Sequence, residues 1–206
     1  MNQEHIMVFH RWPHLILLLL PAFLSACAAT PVVSDYKTLA SNTDKLSILG
    51  GGNAQKIAVD NFTSTKSRVD MGCRAFGEIN LKEGDSVEEY IREALISELK
   101  KAGLYSTSSQ KRLGGNIDYV NLVTTTAASY VTPAFDSLTN SKWSITATFM
   151  GEGVNNFTIP SIYLFPFKDS FFDGPCESPR KKFDEAVANL IKILVNHPSF
   201  TEFLAK

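Results

Sequence analysis

Leu15 to Leu20, then Pro21-Ala22-Phe23 and Leu24-Ser25-Ala26-Cys27, set the first limit on what this chain can fold into. The apolar run falls well short of the roughly 20 residues that a membrane-spanning helix needs, so it reads as the core of an export leader and drops out of fold reasoning. Small residues directly before a cysteine form a lipobox. A lipoprotein-type signal peptidase needs a flexible apolar run, small side chains before the cut, and a thiol that already carries diacylglycerol. Cys27 is therefore expected to be lipidated, with residues 1–26 as signal peptide. A plain cleaved leader whose last residues match by coincidence is the alternative. Before the apolar run, Arg11 is the only formal positive charge, beside His5, His10 and His14, and Glu4 opposes it; a start at Met7 gives a tidier leader, so Met1 and Met7 both stand as the first residue.

The chain has three cysteines. Assigning Cys27 to lipid leaves Cys73 and Cys176 as an even pair in an oxidising compartment, where disulfides persist. A Cys73 to Cys176 disulfide is the expectation, with two buried free thiols or a metal site as alternatives. Zinc would want more ligands, and His197 is the only histidine after the leader. No metal and no cofactor are expected.

With 20 basic against 21 acidic residues, the chain lacks the basic excess that phosphate neutralisation requires, which argues against a nucleic-acid partner. Residues 27–206 suit one domain plus a tether. The tether is expected over residues 27–55, which carry Thr30-Pro31, scattered Ser, Asn and Asp, and Gly50-Gly51-Gly52-Asn53. Fully flexible, it would reach about 30 Å. Within it, Leu46-Ser47-Ile48-Leu49 is a candidate edge strand, and the glycine run is a hinge that lacks the ending of a phosphate loop.

A single domain is expected over 56–206. Ile57 to Phe62 and Val69 to Phe76 read as strands, the second with Cys73 on its core face. Asp85-Ser86-Val87-Glu88-Glu89 is a capping-box start; Val87, Tyr90, Ile91, Ala94, Leu95 and Leu99 follow at three-and-four spacing, and Gly103 supplies the stop. Ile117 to Thr126 and Trp143 to Phe149 read as further strands around a long loop or insertion. Phe157 to Phe172 is apolar and aromatic, but Pro160 and Pro166 confine it to edge strand or loop. It is either folded over the sheet, the preferred reading, or an apolar patch that meets lipid or a partner. Ser178-Pro179 then starts a second long helix, Asn196-His197-Pro198 ends it, and Ser199 to Leu204 forms a short terminal helix.

The sum is an α+β two-layer sandwich, ββαββα, with an antiparallel sheet and two long helices on one face. Arg180-Lys181-Lys182 in a first helical turn runs against the dipole preference and reads as a solvated cluster before an anion site. Together with Phe165 and Phe167 these three offer a charged rim and apolar centre, the first choice of contact surface. A Ser-His-Asp hydrolase would have to use His197, which suits capping better, and no spacing pairs Asp60, Asp70 and Asp118 for acid-base work. No catalytic residue is expected.

The lipobox, the segment Ile91 to Gly103 leading into Gly115-Asn116-Ile117-Asp118, and the closing His197-Pro198-Ser199-Phe200-Thr201-Glu202-Phe203-Leu204 resemble the YajG-type lipoproteins of Gram-negative bacteria. More distantly the layout is similar to the lipopolysaccharide-assembly lipoprotein and to auxiliary lipoproteins of lipid-trafficking ABC transporters. The resemblance implies a lipid anchor and no catalytic residues. The expectation is a non-enzymatic lipoprotein, a structural or accessory component of the cell envelope. With Ala28 after Cys27, it is expected in the outer membrane, facing the periplasm. Its partners are the membrane and an envelope protein or glycolipid; a lipid or glycolipid-handling module is the alternative.

Overall fold

Helix α2 (Val87–Lys101) forms as its sequence directs. The Ser86 hydroxyl accepts from the Glu89 amide at 3.2 Å, acids occupy the first turn and Lys100-Lys101 the last. At the far end Leu104 N–H closes on Leu99 O at 2.8 Å, and Gly103 adopts φ 75°, a left-handed stop that a side chain would strain. The computed structural model describes residues 33–51, 55–64, 69–73, 79–81, 86–124, 139–167 and 176–206. The chain divides into residues 1–30 and 31–206, and every described residue belongs to the second unit, so Cys27 and the expected signal peptide lie outside the described residues.

The remaining elements are α1 (Ala40–Gly50), β1 (Ala58–Ser64), β2 (Val69–Asp70), β3 (Arg112–Thr124), β4 (Thr139–Gly151), β5 (Phe157–Phe167), α3 (Glu177–Lys181), α4 (Phe183–Val195) and α5 (Pro198–Ala205). The class is α+β, with one sheet of order β1-β3-β4-β5 and β2 also beside β3. The sheet is mixed, not antiparallel as expected. β3, β4 and β5 form an antiparallel meander, whereas β1 and β2 both run parallel to β3. The reason is α2, which lies between β2 and β3 and carries the chain back to the end where β1 began. Because β1 pairs with residues 112–117 and β2 with 120–121, the two are successive pieces along one edge of β3 rather than a hairpin.

One sheet face is core. Trp143, Ile145, Ala147 and Phe149 of β4 are buried on it beside Phe157, Ile159 and Phe165 of β5. Trp143 packs edge-on against Phe183 at 5.0 Å between ring centroids, and its indole N–H donates to Pro179 O at 3.0 Å. The Pro179 carbonyl also accepts from the Lys182 amide at 3.2 Å, a tightened three-residue closure of the kind that ends a helix. The expected single long helix is accordingly split at Lys182 into α3 and α4, and Cys176, not Ser178, caps the start. His197 does cap, at the beginning of α5, where Nδ1 accepts from the Ser199 amide at 3.2 Å and the ring stacks on Phe157. Gly151 permits α5 to close on β4, since a Cβ there would stand 2.6 Å from the Phe203 ring.

Residues 33–51, expected as tether, are built into the domain. The stretch expected as an edge strand with a glycine hinge is α1, which buries Asn42, Thr43, Leu46 and Gly50 against the body while leaving Ile48 75% exposed. Its anchor is Glu98 of α2, fully buried. One carboxylate oxygen accepts from Tyr36 Oη and Leu39 N, each at 2.7 Å, and the other from Thr43 Oγ1 at 2.6 Å. The carboxylate thus sits at the α1 N-terminus, where the helix dipole favours it. Burial, reinforced by Glu98, pushes the Tyr36 phenol far above the ordinary tyrosine range and keeps it a donor.

β5 is the edge strand that its prolines allow. Pro160 and Pro166 share one parity, and both face the open side, where a missing N–H costs no ladder bond. On that side the Ile162 carbonyl accepts from Asn189 of α4 at 3.4 Å. Edges of this length invite strand addition, and the two prolines remove donors from it. Replacing both by threonine is expected to produce concentration-dependent association in size-exclusion chromatography; an unchanged monomer peak at the same concentration would show that the prolines do not guard the edge.

Candidate contact surface

Arg180, Lys181 and Lys182 are expected to project as a cationic rim, but nearby acids hold all three. Arg180 pairs with Glu177 at 2.6 Å, Lys181 with Glu177 at 3.0 Å, and Lys182 with Glu185 at 2.5 Å. Arg180 and Lys181 also lie in the last turn of α3, the end where a cation suits the dipole, so the conflict read from the sequence disappears with the helix split. The Arg180 guanidinium, hydrogen-bonded to Glu177, holds that carboxyl down at about 2. A folded pKa below the unfolded one stabilises above the unfolded value and loses that contribution as pH falls. The stability difference between wild type and Glu177→Gln is therefore expected to close as pH drops from 4.5 towards 2 in urea titrations. The effect is small, because the group is partly exposed. A difference that stays constant over that window would exclude the pairing.

Phe165 is only 3% exposed, stacked beside Tyr163 on the core face. It supplies no apolar centre to an outer surface, and the Phe167 side chain lies outside the described residues. The expected surface is not assembled as the sequence suggested. Cys73 and Cys176, in contrast, are joined, with Cα atoms 5.9 Å apart. The bond ties the chain just beyond β2 to the residue that starts α3.

The sequence left Phe157 to Phe172 either folded over the sheet or exposed, and in β5 the described residues divide by parity into both. Side chains alternate strictly along this strand: Phe157, Ile159, Ser161 and Phe165 inward, Thr158, Pro160, Ile162, Leu164 and Pro166 outward. Ile162 is 59% and Leu164 69% exposed. The alternation was hidden because both faces carry apolar residues. The outer sheet face changes character along its length. Near the β4 to β5 turn a polar ladder crosses four strands: Thr63 donates to Asn116 at 2.9 Å, Asn116 and Thr148 donate to Asp118 at 2.5 and 2.7 Å, and Thr148 meets Thr158 at 2.8 Å. Towards the other end of β5 its own outward row becomes apolar, with Ser144 across the ladder from Ile162 and Lys142 across from Leu164.

Shallow grooves lie elsewhere among the described residues. One, about 450 Å³, runs beside β1 between Asp60, Asn61, Arg92 and Tyr105, where Arg92 Nε donates to Asp60 O at 3.2 Å. Another, about 380 Å³, lies between the end of α1 and Lys206. Among the described residues no group of three or more His, Cys, Asp or Glu is placed to hold a metal, and no helix is long and apolar enough to cross a membrane.

No family model matches the sequence, and no curated protein matches it. Among solved structures, the chain is similar to the crystal structure of protein XCC0632 from Xanthomonas campestris, described with family model DUF330, at 11% identity and a TM-score of 0.42, over 72% of this chain and 85% of that one.

Proposed function

We propose that the chain is a lipid-anchored lipoprotein of the YajG-like kind that its motifs resemble, facing the periplasm from the outer membrane and acting by binding, as a structural or accessory component of the envelope. The observation that carries this reading is the cysteine pairing. With Cys73 and Cys176 joined, Cys27 is left as the odd one of three, and it stands directly behind an apolar leader and small residues. A disulfide inside the fold supports an oxidising compartment. Acyl chains contribute about 0.8 kcal/mol per buried methylene, so the several chains of a mature lipoprotein make a stable anchor where one would not.

The full chain, expressed in a Gram-negative host, is expected in the membrane fraction, with an N-terminal peptide that begins at Cys27 and carries diacylglyceryl and amide-linked acyl mass. Cys27→Ala is expected to shift the protein out of that fraction. A Cys27→Ala protein that still sediments with salt-washed membranes would overturn the anchor. Binding is tested by gentle detergent extraction and native mass spectrometry, in which a discrete co-purifying envelope protein or glycolipid supports the reading and a bare monomer counts against it.

A further inference from the structure

The described fold begins at Val33, and the five residues 28–32 separate it from Cys27. Fully extended, that link spans at most about 20 Å. An anchor at Cys27 therefore keeps the domain against the bilayer, and the end at which the chain joins the fold decides which surface faces lipid. Val33 N–H donates to Asn80 O, Ile79 N–H to Met71 O, and β2, just before Met71, pairs with Val120 and Asn121 of β3. One step further along β3, Leu122 stands opposite Trp143, which stands opposite Tyr163. The Tyr90 hydroxyl adds a second tie at this level, donating to Ser34 O at 3.0 Å and packing its ring on Phe183, which itself meets Trp143. The chain thus joins the fold at the level of Tyr163. At and beyond that level β5 turns Ile162, Leu164 and Pro166 outward, beside Ser144 and Lys142 of β4, whereas the polar ladder around Thr148 and Thr158 lies towards the opposite end.

We infer that the outward row Ile162, Leu164 and Pro166 of β5, with Lys142 beside it, is a strip that rests in the headgroup layer of the bilayer holding the anchor, so that the domain stands with this end down. The inference rests on the lipid-anchor reading above. Apolar side chains bury into the headgroup boundary while the lysine meets anionic lipid, the pattern of an interfacial contact. A second copy added by strand pairing fits the strip poorly, because Pro160 and Pro166 take donors from that edge.

The pairing of Cys73 with Cys176 and the lipid on Cys27 leave any introduced cysteine as the one free thiol. Full-length lipidated Ile162→Cys, Leu164→Cys and, at the exposed far turn, Glu152→Cys are each labelled with an environment-sensitive fluorophore. They are then reconstituted into phosphatidylethanolamine and phosphatidylglycerol vesicles that carry a shallow spin-labelled lipid. Labels at 162 and 164 are expected to blue-shift and to be quenched roughly two-fold or more relative to 152, as for groups about 5–10 Å into the headgroup boundary. Protein that floats with the vesicles but shows equal quenching at all three positions would overturn the strip and leave the anchor standing. Protein that fails to float would overturn both.

Discussion

Converting both Cys73 and Cys176 to alanine is expected to lower the unfolding free energy by about 4 kcal/mol, under a ceiling of roughly 4.7 kcal/mol set by chain entropy for a loop of about 100 residues. The bond spans 103 residues and encloses α2, β3, β4 and β5, so most of the sheet lies inside the loop it closes. Alanine is the right replacement, since both positions are buried and a serine hydroxyl would add a desolvation cost of its own. Urea unfolding of oxidised wild type and the double variant reads the effect. A midpoint unchanged within error would mean that α3 and the start of α4 are held by packing alone, with Trp143 and Phe183 as the contact responsible. Hydrogen exchange on the double variant is expected to show early opening of residues 176–183.

Glu98→Ala is expected to cost about 3 kcal/mol, because it strands neutral donors whose unmet desolvation costs about 1–3 kcal/mol each where they are buried. The loss falls mainly on three donors, Tyr36 Oη, Leu39 N and Thr43 Oγ1, which the carboxylate satisfies at once. Its signature is local. Residues 33–51 are expected to become protease-sensitive at denaturant concentrations where the sheet is still protected, because Glu98 alone gathers three of their bonds, beside single bonds from Val33 to Asn80, Ser34 to Tyr90, Thr38 to Lys101 and Asn42 to Ala188 O at 3.0 Å. Glu98→Gln keeps an acceptor oxygen and is expected to lose less. Uniform destabilisation without selective exposure of residues 33–51 would show that α1 is held by Leu46 and not by the carboxylate.

What the sequence made legible was local. Helix α2 carries cap, period and stop within one continuous stretch, and β4 alternates without interruption, so both stand where the pattern put them. α1 was illegible because its buried side mixes Leu46 with polar residues: Asn42 and Thr43 turn inward to partners 146 and 55 residues away, while Ile48 faces water. No periodicity argument weights a Thr over an Ile unless the distant carboxylate is known. The parallel pairing of β1 was hidden for the same reason, since its register against Arg112 to Ile117 depends on contacts across α2. The basic rim was read without its short-range partners. Glu177 and Glu185 stood in the sequence at helical spacing from Arg180, Lys181 and Lys182, and the i, i+3 and i, i+4 pairs could have been read. The disulfide was legible because counting cysteines needs no geometry.

The long sequence separation of the α1 contacts also orders events in time. The β3, β4 and β5 meander closes through neighbouring segments, whereas Asn42 must wait for Ala188 and Thr43 for Glu98. Loop-closure entropy places such distant contacts late in folding. Under the proposed lipid-anchor reading, the segment nearest Cys27 would leave the cytoplasm first and be secured last, so acyl transfer and leader cleavage would act before the domain closes over residues 33–51. Maturation of a proposed anchor and closure of the domain would then not compete for the same residues.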